Sequence, residues 1–277
     1  MAARQGAAWV PRLRRFRRPA GRRAEAIHEL HRDLRRSRFE GQILGRILGA
    51  PKRDRSLERP AELREFERVL GRWRDLEMTR ELFRSAAAHP SDPAERRWLS
   101  DRDREFLAEI RRHERESLQL VAALLGHRAP AGRISAAPGR LRRLEEPARW
   151  RRELDARRRR YLKALRRLEE PLAAEPAHAF RQELRRLGVF YDLLAAAPWA
   201  APRPRPRKVQ RVLDRLGRLH DLDRALVRLS RAPRGPVRDA LGRRLRAERR
   251  RAEEKARRAL RSRATHSYAE GSVRKKR

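Results

Sequence analysis

The chain has 277 residues, with 75 Lys+Arg against 37 Asp+Glu, a formal net charge of +38 at neutral pH, and 39% apolar residues. The length fits one or two domains at roughly 150 residues each, and the apolar share exceeds that of a disordered basic tail. With no cysteine there is no disulfide framework, thiolate nucleophile or Cys-ligated metal; no apolar run approaches the ~18 residues of a membrane span.

Residues 1–21 are basic, contain Pro11 and Pro19 and lack periodicity, which predicts a mobile arm. Their charge is followed by no apolar h-region, so neither a Sec nor a twin-arginine signal is expected, and a cytoplasmic location is. From 22 to about 50, Ile27, Leu30, Leu34, Ile43, Leu44, Ile47 and Leu48 recur at helical steps and predict an amphipathic helix. Residues 51–60 break it, and a second helix carried by Leu63, Phe66, Val69, Leu70 and Leu76 is predicted over 61–87. Ser91-Asp92-Pro93 is a start signal for a long helix to about Gly126, with Trp98, Phe106, Ile110, Leu118, Val121 and Leu125 facing inward. Residues 127–147, rich in Pro, Gly, Ala and Arg, form the best internal boundary. Helical periodicity returns over 148–170, 176–197, 207–231 and 235–262, with a proline-rich basic strap at 198–208. A basic tail, 263–277, ends the chain. No segment alternates at period two long enough to be a strand, so the fold class is all-α.

Six lysines leave 69 arginines. A GC-rich genome accounts for part of that ratio but not for the excess over acid, which points to a polyanionic partner. Most arginines are interleaved with glutamates at i,i+3 and i,i+4, as on a solvated helix face. The informative basic residues are those left over from this pattern.

Two motifs recur. His28-Glu29-Leu30-His31-Arg32-Asp33-Leu34-Arg35-Arg36 aligns with His178-Ala179-Phe180-Arg181-Gln182-Glu183-Leu184-Arg185-Arg186, at an offset of 150. Leu70-Gly71-Arg72-Trp73-Arg74-Asp75-Leu76-Glu77 aligns with Leu216-Gly217-Arg218-Leu219-His220-Asp221-Leu222-Asp223, at an offset of 146. The same order at nearly one offset predicts an internal duplication, with two similar helical halves about a pseudo-twofold axis. On a helix, His28, His31, Arg32 and Arg35 share one face, as do His178, Arg181 and Arg185, so each half offers basic donors on successive turns. Against that stand plainer readings: a hydrogen-bonded histidine at a helix start, or arginines on a solvated face. Arg157, Arg158, Arg159, Arg160 and Lys163 form the densest basic run, facing either the same cleft or solvent. Asp75 and Asp221 read as structural partners of arginine rather than catalytic acids. His28 and His31 at i,i+3 lack a third repeated ligand on a positive face, so no metal is expected.

The two His motifs, each followed by an LGxxxD-containing helix, resemble the CHAD family (conserved histidine α-helical domain), whose pattern in each half is roughly H-x-L-R-x-x-x-R-R-x-R. The resemblance covers about residues 22–262, with halves at 22–126 and 148–262 around the 127–147 linker. It implies two four-helix bundles around a basic central channel, binding of inorganic polyphosphate, and association with polyphosphate granules. The matching positions are His28, Arg35, Arg36 and Arg38, with His31 where an arginine is usual, and His178, Arg181, Arg185 and Arg186. Gly188 and Val189 depart from the pattern, standing where the family more often has Arg-Tyr, followed by Phe190 and Tyr191.

The leading expectation is a non-catalytic polyphosphate-binding protein without a cofactor. Its site would comprise His28, His31, Arg32, Arg35, Arg36, Arg38, Arg157, Arg158, His178, Arg181, Arg185 and Arg186. Histidine contacts would make binding stronger below about pH 7. The alternative is a sequence-nonspecific nucleic-acid or ribosome-associated protein, with salt-sensitive affinity supplied by the charge and the SVRKKR tail. Aromatics, at 5% and core spacing, offer no stacking platform for single strands. An enzyme acting on polyphosphate or triphosphate would need carboxylates for Mg²⁺ where the repeat has cations; the chain fits a partner of such an enzyme better.

Overall fold

The computed structural model describes residues 23–49, 61–87, 92–126, 142–168, 171–197 and 207–261. The predicted arm, tail and break, and most of the predicted linker and strap, lie outside these residues. The described chain is helical, with no strand among its residues. Seven α-helices follow in order: α1 (Arg23–Ile47), α2 (Ala61–Ala86), α3 (Pro93–Gly126), α4 (Pro147–Arg166), α5 (Ala174–Ala195), α6 (Arg207–Ser230) and α7 (Pro236–Leu260). A short 3₁₀ turn, Arg142–Glu145, precedes α4. None of these helices is long and apolar enough to cross a membrane.

Helix starts follow local chemistry. Asp92 Oδ1 accepts from the Ala94 amide at 2.8 Å, an N-cap for α3 with Pro93 as its first residue. Pro236 likewise opens α7 after Gly235. Several boundaries differ from expectation, among them α5, which begins and ends two residues earlier than predicted. The stretch 142–147, assigned to the linker, is already a 3₁₀ turn and the first residue of α4. α4 ends at Arg166 rather than near 170, as the helix must close before Pro171, which disfavours helical backbone at the residue before it. α6 opens at Arg207, where its periodicity predicts, so Arg207 and Lys208, at which the predicted helix and strap overlap, belong to the helix.

The described residues form two compact units. One comprises 23–49, 61–74, 108–126 and 142–153. Its core is Leu30, Leu34, Ile43 and Ile47 of α1, Phe66, Val69 and Trp73 of α2, Ile110 and Val121 of α3, and Trp150 of α4. On α3 the expected Phe106, Ile110 and Val121 are buried, joined by His113, Ser117 and Leu124, while Trp98 and Leu118 are only half-buried. α1 ends on Gly49, whose φ of 65° is the left-handed conformation that favours glycine; Arg143 Nη1 lies 3.0 Å from where a Cβ would sit. That arginine also donates to the Leu48 carbonyl at 2.7 Å, tying the 3₁₀ turn to the end of α1.

The other unit comprises 75–87, 92–107, 154–168, 171–197 and 207–261. α6 packs against both α5 and α7. Phe180, Leu184, Leu187, Phe190 and Tyr191 of α5 are buried with Val212, Leu216, Leu219 and Leu222 of α6 and Leu241, Leu245 and Ala256 of α7. The Tyr161 and Phe180 rings, 5.2 Å apart, set α4 against α5. Burying one such side chain is worth about 1.5–3 kcal/mol. An exposed i,i+4 Arg–Glu pair is worth about 0.3–0.5, so the numerous surface pairs decorate a fold that the apolar core holds.

Asp103 of α3 is an exception among the surface acids. It accepts from Arg80 Nε at 2.6 Å and Arg80 Nη2 at 2.9 Å, and from Arg84 Nη2 at 3.0 Å. These bonds, Arg80's foremost, hold its carboxyl below the ordinary value although partial burial opposes them. A depressed folded-state pKa adds stability above the unfolded value, lost as pH falls through the folded one. Asp103→Asn is therefore expected to lower the urea midpoint at pH 7 and to match the parent near pH 2. A constant difference at both pH values would show that the fork is not the cause.

Candidate functional site

The second sequence copy places its motif on α5. Before that helix, the Leu172 amide donates to Glu253 Oε1 at 2.8 Å, and Arg249 Nη2 donates to the Leu172 carbonyl at 2.8 Å. Arg249 also bonds Asp223 at 2.8 Å and Glu253, and Arg257 donates to Glu253 Oε1 at 2.5 Å. This network anchors the segment entering α5 to α6 and α7, and so fixes where the motif begins.

His178 lies two turns from that anchor. Its ring stacks on His220 of α6 at a centroid distance of 4.7 Å and 24° between planes. Gln182 Nε2 stands 2.5 Å from His178 Nε2, and Arg186 Nη2 donates to Gln182 Oε1 at 3.4 Å. With Oε1 turned to the arginine, the amide nitrogen donates to His178 Nε2. The ring accepts there and carries its neutral-form proton on Nδ1.

Arg181 is 4% exposed and lies across α6, with Nη2 3.1 Å from where a Cβ on Gly217 would stand. Only glycine admits the guanidinium at its present position. In the other unit, His31 of α1 is 8% exposed, and its Nε2 lies 3.5 Å from where a Cβ on Gly71 would stand. His31 and Arg181 are aligned at offset 150, and Gly71 and Gly217 at 146, so a basic side chain lies against the matched glycine in each unit, closely at Gly217 and at ordinary contact distance at Gly71.

The remaining expected residues divide. Arg157 is buried on α4. Arg158 donates from Nη1 to Asp155 at 3.4 Å, while its Nε and Nη2 are buried without a hydrogen-bond acceptor among the described residues. Arg185 is half-buried, and Arg186 bonds Glu183. On α1, Arg35 is half-buried. Arg32, expected on the His31 face, is exposed and sits 3.9 Å from Glu29. The reason is angular: one residue is 100° of helix turn, and the buried side runs through Leu30, His31 and Leu34. Arg36 donates to Glu40 at 2.9 Å, and Arg38 pairs with Glu67 at 3.1 Å with its guanidinium 5.2 Å above Phe39. The side chain of His28 lies outside the described residues. Gly188 and Val189 are buried with Phe190 and Tyr191, so these departures from the family pattern occupy the interior of α5.

Of the acids singled out, Asp75 pairs with Arg224 at 3.0 Å, and Asp221 lies 3.4 Å from His220. The described residues hold no group of three potential metal ligands. Sequence reasoning missed His220 and Gln182 as partners of His178. Their signal is that Gly217 and His220 stand one turn apart on the helix that the His178 motif packs against. The densest basic run is split by the helix turn: Arg157 and Arg158 face inward, whereas Arg159, Arg160 and Lys163 are exposed.

In comparisons with known proteins, the chain matches no family model and no curated protein.

Proposed function

We propose that this chain is a non-catalytic binding protein for inorganic polyphosphate, built as a CHAD-like duplicated helical domain whose two His motifs line one basic channel. The observation that carries this reading is the recurrent contact, His31 on Gly71 and Arg181 on Gly217. The contact puts a hydrogen-bonding basic side chain against a glycine in each unit, an imidazole in one and a guanidinium in the other. Its recurrence at matched positions of two copies favours a shared ligand over an accident of packing. The buried donor atoms of Arg158 support the same reading. A chain of phosphates supplies acceptors to such groups as charge-assisted hydrogen bonds.

The absence of catalysis belongs to the proposal. Glu40, Glu67 and Glu183, the carboxylates beside the motif arginines, are engaged by Arg36, Arg38 and Arg186. An association with polyphosphate granules, and with a polyphosphate- or triphosphate-processing enzyme, extends the proposal.

One observation favours nucleic acid as a second ligand. Arg159, Arg160, Lys163, Arg166 and Arg167 are exposed along α4 and its end, and none has a carboxylate partner among the described residues. Like charges at i,i+3 and i,i+4 repel, and a phosphate backbone would relieve that. Competition between long-chain polyphosphate and duplex DNA at about 0.3 M salt separates the two, since backbone-only contacts weaken steeply with salt. Polyphosphate is expected to displace DNA, and to bind more tightly at pH 6 than at pH 8. Preference for DNA would sink the leading reading, and a flat pH profile would remove the histidines from the contact.

A further inference from the structure

A cavity of about 170 Å³ opens in the second unit where α6 ends, against Phe83 of α2, Phe106 of α3 and Ala232, none of them in the repeat motifs. Its apolar wall is aromatic: the Phe83 and Phe106 rings meet edge to face at 5.4 Å. Arg228 belongs to that wall, with its guanidinium 5.5 Å above the Phe106 ring. Arg102 and Glu105, also in the lining, compensate each other across 2.7 Å. Arg231 lines the cavity and is exposed, and Arg234 is exposed three residues on; neither has a carboxylate partner among the described residues. Apolar surface lies close by. Val227, at 54% exposure, is the one large apolar side chain left exposed among the described residues. It stands four residues before Arg231, the spacing of neighbours on one side of a helix.

Size, wall and charge converge on one occupant. An apolar cavity of ~150 Å³ holds one benzene ring, so this one takes a phenyl side chain and nothing larger. Walls made of phenylalanine rings favour another ring, through edge-to-face or offset contact. An aromatic side chain seated in a pocket is also the usual centre of a protein interface, with polar groups around it. Here the surrounding charge is the cation of Arg231, with Arg234 close in sequence, so the complementary neighbours of that ring are carboxylates. A bare phosphate chain would gain nothing from Phe83 and Phe106.

We propose that this cavity and the adjoining Val227 form a docking site for a partner protein, which inserts one phenylalanine side chain flanked by aspartate or glutamate. The proposal is independent of the polyphosphate reading. The test is calorimetric titration of the full chain at about 0.3 M salt, which screens general attraction to its net charge. The probes are the capped peptide Asp-Glu-Phe-Glu-Asp, the same peptide with alanine at its centre, and N-acetylphenylalanine amide. The phenylalanine peptide is expected to bind at least about tenfold more tightly than either of the others. Ala232→Phe, which fills the cavity, is expected to bring its affinity within about twofold of the alanine peptide's. Arg231→Gln should weaken the phenylalanine peptide at least about fourfold, and Arg250→Gln, the same charge change at an exposed position of α7, less than about twofold. Equal affinities for the two peptides, or equal losses in the two arginine variants, would mean that binding follows overall charge, and either would overturn the proposal. An unchanged affinity in Ala232→Phe, equal binding of the uncharged ring, or no binding of the phenylalanine peptide up to about 5 mM would overturn it as well.

Discussion

Glu253→Ala is expected to destabilise the protein by about 3 kcal/mol, the largest loss expected from any single acid among the described residues. Removing one member of a buried ion pair typically costs about 3–5 kcal/mol, as the partner charge is left uncompensated. The lower end applies here because Arg249 keeps Asp223 and the Leu172 carbonyl. Burial alone would raise the Glu253 pKa, but the Leu172 amide and the Arg257 and Arg249 guanidinium groups outweigh it and hold it below the ordinary value. Glu253→Gln, which retains an acceptor for the Leu172 amide, should lose less than half as much. Urea denaturation of the three proteins decides the matter; a loss under about 1 kcal/mol for the alanine variant would mean that the network adds nothing net. Because this network fixes the entry to α5, the alanine variant should also loosen His178, seen as faster amide exchange in the first turns of that helix.

Arg185→Glu is expected to weaken polyphosphate binding by roughly 30-fold at about 0.15 M salt. A hydrogen bond to a charged group is worth about 1.5–3 kcal/mol, and 1.4 kcal/mol is a factor of ten. Arg250→Glu makes the same change in total charge on an exposed part of α7 and should cost less than threefold. Equal losses in the two variants would mean that binding follows overall charge and not the motif. Matching melting temperatures would confirm that both variants are folded.

Much of the fold was legible because its signal is periodic. The apolar steps from Leu30 to Leu48 and from Leu63 to Leu76 place α1 and α2, and Asp92-Pro93 marks the start of α3. Boundaries shifted where local chemistry intervened, as at Pro171 and in the 3₁₀ turn before α4. Within the candidate site, the contact of Arg181 with Gly217 follows from setting the two repeated motifs side by side, as each supplies one half of it. Two features were hidden for physical reasons. His220 aligns with Arg74, so the duplication gives no hint of the His178–His220 stack. Phe106 reads as a core residue, and only tertiary packing brings Arg228 over its ring. The orientation of a long basic side chain is likewise unreadable from spacing alone: Arg157 is buried at 3% exposure, while Arg159, two positions on, is exposed.

The matched positions 31 and 181 hold different bases, an imidazole against Gly71 and a guanidinium against Gly217. Guanidinium stays charged at every physiological pH, whereas imidazole is charged only under acid conditions. The two matched sequence motifs therefore hold this contact with unlike chemistry: a guanidinium that only donates in one, and in the other a ring that can accept as well as donate a hydrogen bond.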